Sequence, residues 1–262
     1  MLFNAEDERH FWHKPLRELP GFKCLWLAES LKSAAGANVQ TPVTTWPHLT
    51  GSLTYPTLAT ANKRPYLQAP AGLEGQALYF AEASGAPYDG VHDHLEGLAT
   101  EHLGSAANGL TMFAVFMQAS ATAGPLMSKY GDSGATREFR FGSAFTYIFD
   151  PTAPAGTHYT SVSVVSADTN WHIMIATWIP GSAIRGFRDG TTVTAGSNTG
   201  ASGGVSIKLD DDTTPLKIGQ QSVGTPVSFL GHIACLGVCD YGFATGSTEI
   251  ATIYNTLNTR YF

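Results

Sequence analysis

Residues 170–193, NWHIMIATWIPGSAIRGFRDGTTV, alternate apolar runs with turn residues, a pattern that predicts paired strands. In the first run, residues 171–179, apolar side chains occupy both alternating positions, so an extended chain presents apolar groups on both faces. Such a strand belongs in the middle of a sheet. Residues 180–182 (Pro-Gly-Ser) supply a turn, and residues 189–190 (Asp-Gly) form a dipeptide favoured where a tight hairpin needs positive φ. The segment therefore predicts strand, turn, strand, turn.

Further strand patterns recur along the chain between clusters of turn residues. Residues 109–118 (GLTMFAVFMQ) are apolar on both alternating positions. Residues 137–149 (REFRFGSAFTYIF) alternate polar and apolar positions, which predicts strand structure with one aromatic face. The aromatic positions of that run are Phe139, Phe141, Phe145, Tyr147 and Phe149. Short runs at this spacing favour an all-β antiparallel β-sandwich or jelly roll over alternating β and α units.

Two short helices are predicted within this all-β chain. Residues 93–103 (DHLEGLATEHL) place Asp93 and Glu96 in the spacing of a capping box. Residues 247–257 place Ser247 at an N-cap position ahead of an apolar stripe.

The first 22 residues differ from the rest of the chain in being rich in charged and aromatic side chains. We interpret residues 1–22 as an N-terminal arm and residues 23–262 as one domain. The arm docks either on its own domain or on a neighbouring subunit, where it would bury Phe11 and Trp12. An N-terminal strand or loop packed on its own domain explains the same residues.

Composition supports this fold class and narrows the partners. Charged residues make up 14% of the 262 residues, against about 25% in ordinary domains, and there are 28 glycines and 14 prolines. The net charge of −6, without a basic block, disfavours a nucleic-acid surface. No apolar run is long enough to span a bilayer, and residues 1–19 lack the apolar core of a secretory signal. We therefore expect folding in a cytoplasm.

The three cysteines do not form a disulfide framework. Cys235 and Cys239 share one alternating position, and four strand residues separate them by roughly 13 Å, too far for a disulfide. We predict that both, and Cys24, are core residues.

Short matches to catalytic motifs do not predict an enzyme. GDSGA at 131–135 lacks the accompanying histidine segment of a protease, and GASGG at 200–204 has no strand-to-helix elbow. Glycoside hydrolysis needs two carboxylates across one bond, and no predicted strand presents such a pair. We interpret both motifs as turns and expect no catalytic residues.

Metal binding has one candidate segment. LDDDTTP at 209–215 offers several oxygen ligands of the kind that calcium prefers, and a solvated acidic turn explains the segment equally well. The candidate ligands are Asp210, Asp211 and Asp212. HDH at 92–94 is not expected to bind metal, because consecutive side chains diverge. No other cofactor is expected.

The order of short motifs resembles the concanavalin A-like lectin/glucanase superfamily in its laminin-G-like form, over about residues 24–262. The motifs are LWLAES, TTWPHLTG, RPYLQ, GQALYF, LTMFAVF, NWHIMIATW, FRDGTTV, LKIGQ, FLGHIACLGVCD and TEIATIYNTLNTRYF. The resemblance implies two packed antiparallel sheets, with a C-terminal helix that closes one edge. It also implies architectural roles for Trp171, His172, Asp189, Gly190, Gly231 and Ile233. The Glu-x-Asp-x-x-Glu motif of the glucanase branch has no match here, which argues against hydrolysis.

Members of such a family bind glycans or proteins through loops at one rim or on the concave sheet. The candidate ligand-binding residues implied here are Tyr88, Asp89, His92, Tyr130, Asp132, Arg137, Trp178 and Arg188. The leading hypothesis is a non-enzymatic bacteriophage virion protein, made in host cytoplasm, that decorates a capsid or serves as a fibre or tail adhesin. Its expected partners are other virion proteins, further copies of itself and a cell-surface glycan. The alternatives are a soluble carbohydrate-binding module of a polysaccharide-degrading system and, third, a glucanase- or lyase-type enzyme.

Overall fold

Two antiparallel sheets stack around one core in the computed structural model, which confirms the predicted all-β sandwich. The structure describes residues 12–31, 41–43, 45–51, 57, 64–80, 93–105, 107–119, 124–131, 137–149, 159–163, 168–199, 209, 213–221 and 227–262.

Within these residues, the first sheet has ten strands, which are β1 (Phe22–Leu27), β2 (Thr41–Pro42), β3 (His48–Gly51), β4 (Tyr66–Gln68), β5 (Ala77–Phe80), β7 (Leu110–Gln118), β12 (Trp171–Trp178), β13 (Arg185–Arg188), β14 (Thr191–Ala195) and β19 (Gly231–Cys239). Their order in the sheet is β14-β13-β12-β7-β19-β5-β4-β2, with β1 pairing both β19 and β3.

The second sheet has seven strands among the described residues, which are β6 (Leu95–Glu96), β8 (Pro125–Tyr130), β9 (Arg137–Gly142), β10 (Phe145–Phe149), β11 (Tyr159–Ser163), β15 (Ser197–Thr199) and β16 (Lys217–Ile218). Their order in the sheet is β15-β11-β10-β9-β8-β16-β6. The remaining elements are the pair β17 (Gln220–Gln221) and β18 (Val227–Ser228), the helices α1 (Lys14–Arg17) and α2 (Thr248–Tyr261), and a 3-10 turn at Ala28–Ser30.

The strand predicted to be central, β12, lies between β7 and β13 in the ten-stranded sheet. Met174 and Ala176 face the core between the sheets, and Ile173 and Ile175 face the opposite side. The predicted hairpin turn is also confirmed, because residues 189–190 both have positive φ, 50° and 79°. Both faces of β12 are apolar because both are covered.

Helix α2 provides the cover on the outer face of the ten-stranded sheet. It begins as predicted, with the Ser247 hydroxyl accepting a hydrogen bond from the Ile250 amide at 3.4 Å. The buried side chains of the helix, Ile250, Ile253, Leu257 and Tyr261, pack with Ile173 and Ile175 in a second apolar cluster. The expectation that the C-terminal helix closes an edge is therefore wrong. The helix lies on a face, as the apolar outer side of β12 requires.

Residues 93–103 do not form the predicted helix. Leu95 and Glu96 form β6 and pair with β16, and the next residues turn. The Gly97 amide donates a hydrogen bond to the Leu216 carbonyl at 2.8 Å, which extends the contact between this segment and the chain next to β16. Pairing with a strand more than 100 residues away overrides the local capping signal.

Residues 137–149 form a hairpin and not one continuous strand. β9 and β10 are joined by the two residues 143–144, and Thr146 pairs with Phe141. Because paired residues share a face, this register places an even-numbered position of β10 beside an odd-numbered position of β9. The aromatic alternation therefore changes sides at the turn.

The described part of the N-terminal arm packs on its own domain. Residues 12–21 contain α1, and Leu16 is fully buried in the cluster beneath α2. The cysteine prediction is confirmed, since Cys24, Cys235 and Cys239 are buried and unbridged. No described helix has the length and apolar character needed to cross a bilayer.

A histidine bridged by two carboxylates fastens the β12–β13 hairpin. His172 Nδ1 lies 2.8 Å from Asp189 Oδ2, and its Nε2 lies 2.7 Å from Asp168 Oδ1. Burial opposes protonation of His172, but the hydrogen bonds that its ring donates to both carboxylates outweigh this effect and raise the pKa of His172. This arrangement agrees with the architectural role implied for His172 and Asp189.

The carboxylate bridge is expected to make stability depend on pH. A histidine whose pKa is raised in the folded protein contributes its full stabilisation of the fold at pH values below its pKa in the unfolded chain, about 6.5. This contribution is lost as the pH rises through the pKa of the folded protein. The difference in unfolding free energy between the wild type and Asp168→Asn should therefore shrink from about pH 5 to pH 9. Urea unfolding of both proteins across this pH range measures the difference. A difference that does not change with pH would contradict the contribution of the carboxylate bridge to stability.

Candidate functional site

The outer face of the seven-stranded sheet carries a continuous group of aromatic rings and two arginines. Core residues such as Phe139 and Ile148 lie on the other face of the same strands. We call the outer group the aromatic platform, which consists of Tyr130, Arg137, Arg140, Phe145, Tyr147, Phe149 and Tyr159.

Phe149 is the centre of the platform. Its ring is only 5% exposed, and its centroid lies 5.0 Å from that of Tyr130 and 5.7 Å from those of Tyr147 and Tyr159. Phe145, 41% exposed, stacks on Tyr147 at 6.3 Å. The tyrosines are half-buried, so each ring is supported on one side and open on another.

The two arginines lie directly beside these rings. The Arg137 guanidinium lies 4.7 Å from the ring centre of Tyr130, within cation–π range, and its Nε donates to the Gly131 carbonyl. Arg140 is the cross-strand partner of Tyr147. Burial raises the pKa of Tyr147, and the charge of Arg140 partly offsets this rise.

This arrangement has the chemistry of a binding surface for sugars. Flat rings pack against the apolar faces of a sugar, and hydroxyl and guanidinium groups donate hydrogen bonds to its oxygens. The neighbouring acid on β9, Glu138, is fully buried and bonded to Lys129, so it is not part of the platform. The described platform residues therefore support binding, and none of them is a carboxylate.

The structure brings together two of the predicted ligand-binding residues, Tyr130 and Arg137, which pair across β8 and β9. Trp178 is 1% exposed and lies in the core between the sheets, so the expected rim position is corrected to a core position. Arg188 lies on the ten-stranded sheet beside Asp189, in the layer opposite the platform. The other predicted ligand-binding residues, Tyr88, Asp89, His92 and Asp132, lie outside the described residues.

Metal binding stays a prediction, because Asp210, Asp211 and Asp212 also lie outside the described residues. Within the described part of the chain, no group of three or more His, Cys, Asp or Glu side chains is arranged to hold a metal ion. His94, from the HDH segment, bonds to Glu96 at 3.2 Å. That hydrogen bond, with a second from Lys217, lowers the pKa of Glu96 to about 2.

Trp12 of the predicted assembly arm is anchored on its own domain. Its Nε1 donates to Glu29 Oε1 at 3.1 Å, and its ring meets that of Tyr261 edge-on at 5.9 Å. Phe11 lies outside the described residues. A cleft of about 460 Å³ adjoins Trp12, lined also by Glu74, Asn255, Thr256, Thr259 and Arg260.

Sequence reasoning missed most of the platform. Arg140, Phe145, Tyr147, Phe149 and Tyr159 were not among the predicted ligand-binding residues. The available signal was the Gly-Ser-Ala sequence at 142–144, a turn that divides the aromatic run into a core-facing part and an outward-facing part.

The fold and the platform define an antiparallel β-sandwich domain with one helix-covered face and one open aromatic face. Neither the protein-family models nor the curated proteins contain a match to this chain. Among solved structures, it is similar to domain 4 of AbnA, a GH43 extracellular arabinanase from Geobacillus stearothermophilus, at a TM-score of 0.54 and 8% identity over 92% of this chain and 100% of that one. This likeness shows the fold.

Two further solved structures align less closely. The Trypanosoma rangeli sialidase gives a TM-score of 0.47 and 12% identity, over 92% of this chain and 33% of that one. The receptor-binding domain of botulinum neurotoxin D gives 0.47 and 9%, over 88% of this chain and 52% of that one.

Proposed function

We propose that this chain is a glycan-binding β-sandwich domain whose ligand lies on the aromatic platform. The observation that carries the proposal is the set of half-buried rings of Tyr130, Tyr147 and Tyr159 around the buried ring of Phe149. Such a preorganised surface loses little entropy on binding. Further support comes from the arabinanase domain of similar fold, which was solved in complex with arabinotriose.

Removing one platform ring should abolish most of the affinity. We expect Tyr147→Ala to weaken glycan binding about tenfold or more, the equivalent of about 1.4 kcal/mol, because the open ring and its hydroxyl are lost together. A glycan array identifies the ligand for the wild type, and calorimetry then measures both proteins. Tyr241→Ala is the matched control, since Tyr241 is 44% exposed and lies outside the platform. Equal losses in both variants, or none in Tyr147→Ala, would contradict the proposal.

We further propose that binding is not coupled to catalysis and serves a virion protein, either a capsid decoration or a fibre or tail adhesin. The virion role rests on the sequence resemblance to lectin-like domains alone, and the absence of a carboxylate among the described platform residues supports binding without catalysis. Incubation with a polysaccharide panel should release no new reducing ends or unsaturated products. Mass spectrometry should detect the chain in purified particles of a virus whose genome encodes it. Absence of the chain from these particles would refute the virion role.

The second candidate is a soluble carbohydrate-binding module of a polysaccharide-degrading system. The specific observation in its favour is the likeness to a domain of an extracellular arabinanase. Co-purification of the chain with a polysaccharide-degrading enzyme, and not with virus particles, would distinguish this second candidate from the virion role.

A further inference from the structure

The cleft beside Trp12 lies on the helix-covered side of the sandwich, opposite the aromatic platform. It is formed by the N-terminal arm, the connection between β4 and β5, and helix α2. Its described lining residues are Trp12, Glu74, Asn255, Thr256, Thr259 and Arg260. Its volume of about 460 Å³ falls within the range of about 300–1,000 Å³ that is usual for small-molecule sites. The cleft is therefore large enough to hold a small ligand.

Glu29 holds two walls of this cleft in place. Its Oε1 accepts the hydrogen bond from Trp12 Nε1 at 3.1 Å, and its Oε2 is paired with the Arg260 guanidinium. Arg260 also donates to the Glu74 carbonyl at 3.4 Å, and the Glu74 amide donates to the Tyr261 carbonyl at 3.3 Å. These contacts join the arm, the connection and the helix. Because the walls are already ordered, little conformational entropy is lost when a ligand binds.

Helix α2 contributes uncharged polar side chains to the cleft. Asn255 and Thr259 are exposed and lie one helical turn apart, so they share a face, and Thr256 lies beside them. Amide and hydroxyl groups offer both donors and acceptors of hydrogen bonds. Arg260, the cation among the described lining residues, is already paired with Glu29. The lining therefore favours an uncharged, hydroxyl-rich ligand over an anion.

We propose that this cleft binds one residue of a neutral saccharide. The apolar face of the sugar packs against the indole of Trp12, and its hydroxyls form hydrogen bonds with Asn255, Thr259 and Glu74. An aromatic ring with a few polar groups around it is the usual composition of such a site. The site goes beyond the proposed function, because the cleft and the platform lie on opposite outer faces of the sandwich.

The test follows the indole N–H resonance of Trp12 in two-dimensional NMR spectra of the full chain. Glucose, galactose, mannose, xylose and arabinose are titrated separately, and the Trp12→Phe variant assigns the resonance. We expect at least one sugar to shift it saturably, with a dissociation constant of about 1 mM. The buried indole of Trp178 should not shift. Residues 1–11 are retained, and a Trp12 resonance that no sugar shifts, or that only inorganic phosphate shifts, overturns the proposal.

Two variants of α2 show whether the sugar lies in the cleft. Asn255→Ala should weaken sugar binding about tenfold, because the amide that bonds to the sugar hydroxyls is lost. Asn258→Ala is the matched control, since it removes the same side chain from an exposed position of the same helix that does not line the cleft. Equal sugar affinities of the two variants overturn the proposal. Circular dichroism and thermal unfolding verify that both variants are folded.

Tyr147→Ala separates this site from the platform. The variant should leave the sugar-induced shift of the Trp12 resonance unchanged, because Tyr147 lies on the other outer face. Loss of the shift in Tyr147→Ala overturns the proposal of a separate site. Equal glycan affinities of the wild type and Tyr147→Ala, together with a saturable Trp12 shift, refute the platform and leave the cleft in place.

Discussion

Lys129→Met should lower the free energy of unfolding by about 3–5 kcal/mol, because it removes the ammonium group that contacts the buried Glu138 carboxylate. Both side chains are fully buried, with 3.3 Å between Lys129 Nζ and Glu138 Oε1. The same ammonium donates to the carbonyls of Ala99 and Glu101 at 2.9 Å each. Lys129 therefore ties the segment after β6 to the core, and its loss removes three hydrogen bonds at once. Urea unfolding measures the change.

Two further variants show whether the pair itself is responsible. Lys129→Met/Glu138→Leu removes both charges of this pair, so the double variant should regain much of the stability lost in Lys129→Met. Lys217→Met removes the cation from a partly exposed pair with Glu96 and should change stability by no more than about 1 kcal/mol. A double variant no more stable than Lys129→Met would show that lost packing, and not the buried charge, dominates.

Phe113→Ala should destabilise the protein by about 3–5 kcal/mol, the usual cost of truncating a buried phenylalanine. Phe113 is fully buried in the cluster beneath α2, and it pairs across the sheet with Gly237 of β19. A Cβ atom at position 237 would lie 2.0 Å from the Phe113 ring. The ring therefore fills the space that a side chain at 237 would need.

Because the Phe113 ring occupies the space beside Gly237, the effects of substitutions at these two positions on stability should be non-additive. Gly237→Ala alone should cost about 1–3 kcal/mol through overpacking, whereas in the Phe113→Ala background the added methyl group enters freed space and should cost less. Chemical unfolding of the four proteins gives the coupling energy. Phe145→Ala, at an exposed ring of the opposite sheet, is the control and should change stability by less than about 1 kcal/mol. Additive changes in unfolding free energy would contradict this packing of Phe113 against Gly237.

Local sequence predicts the helix-covered half of this fold well. The runs at 109–118 and 171–179 are apolar on both alternating positions, and both became central strands covered on two faces. The conformations at Asp189-Gly190 and at Ser247 depend on only a few neighbouring residues, so the hairpin turn and the start of the helix were predictable. Residues 93–103 were mispredicted because their strand partner, β16, is distant in sequence.

The aromatic platform was less predictable because its position depends on one turn. Phe139 and Tyr147 occupy equivalent alternating positions in sequence, yet the two-residue connection sends the first ring into the core and the second out of it. Tyr130 and Arg137 were predicted as candidates, but their contact with Tyr147 and Tyr159 through Phe149 depends on strand register. Pairing of distant strands assembles this surface.

The placement of the platform rings separates the outer surface of the seven-stranded sheet from the core that determines folding. Tyr147 and Tyr159 leave their strands on the side away from the inter-sheet core, so exchanging them leaves the apolar interior untouched. These outward positions can therefore vary while the architecture stays constant. A library randomised at these outward positions should consequently yield folded proteins at high frequency.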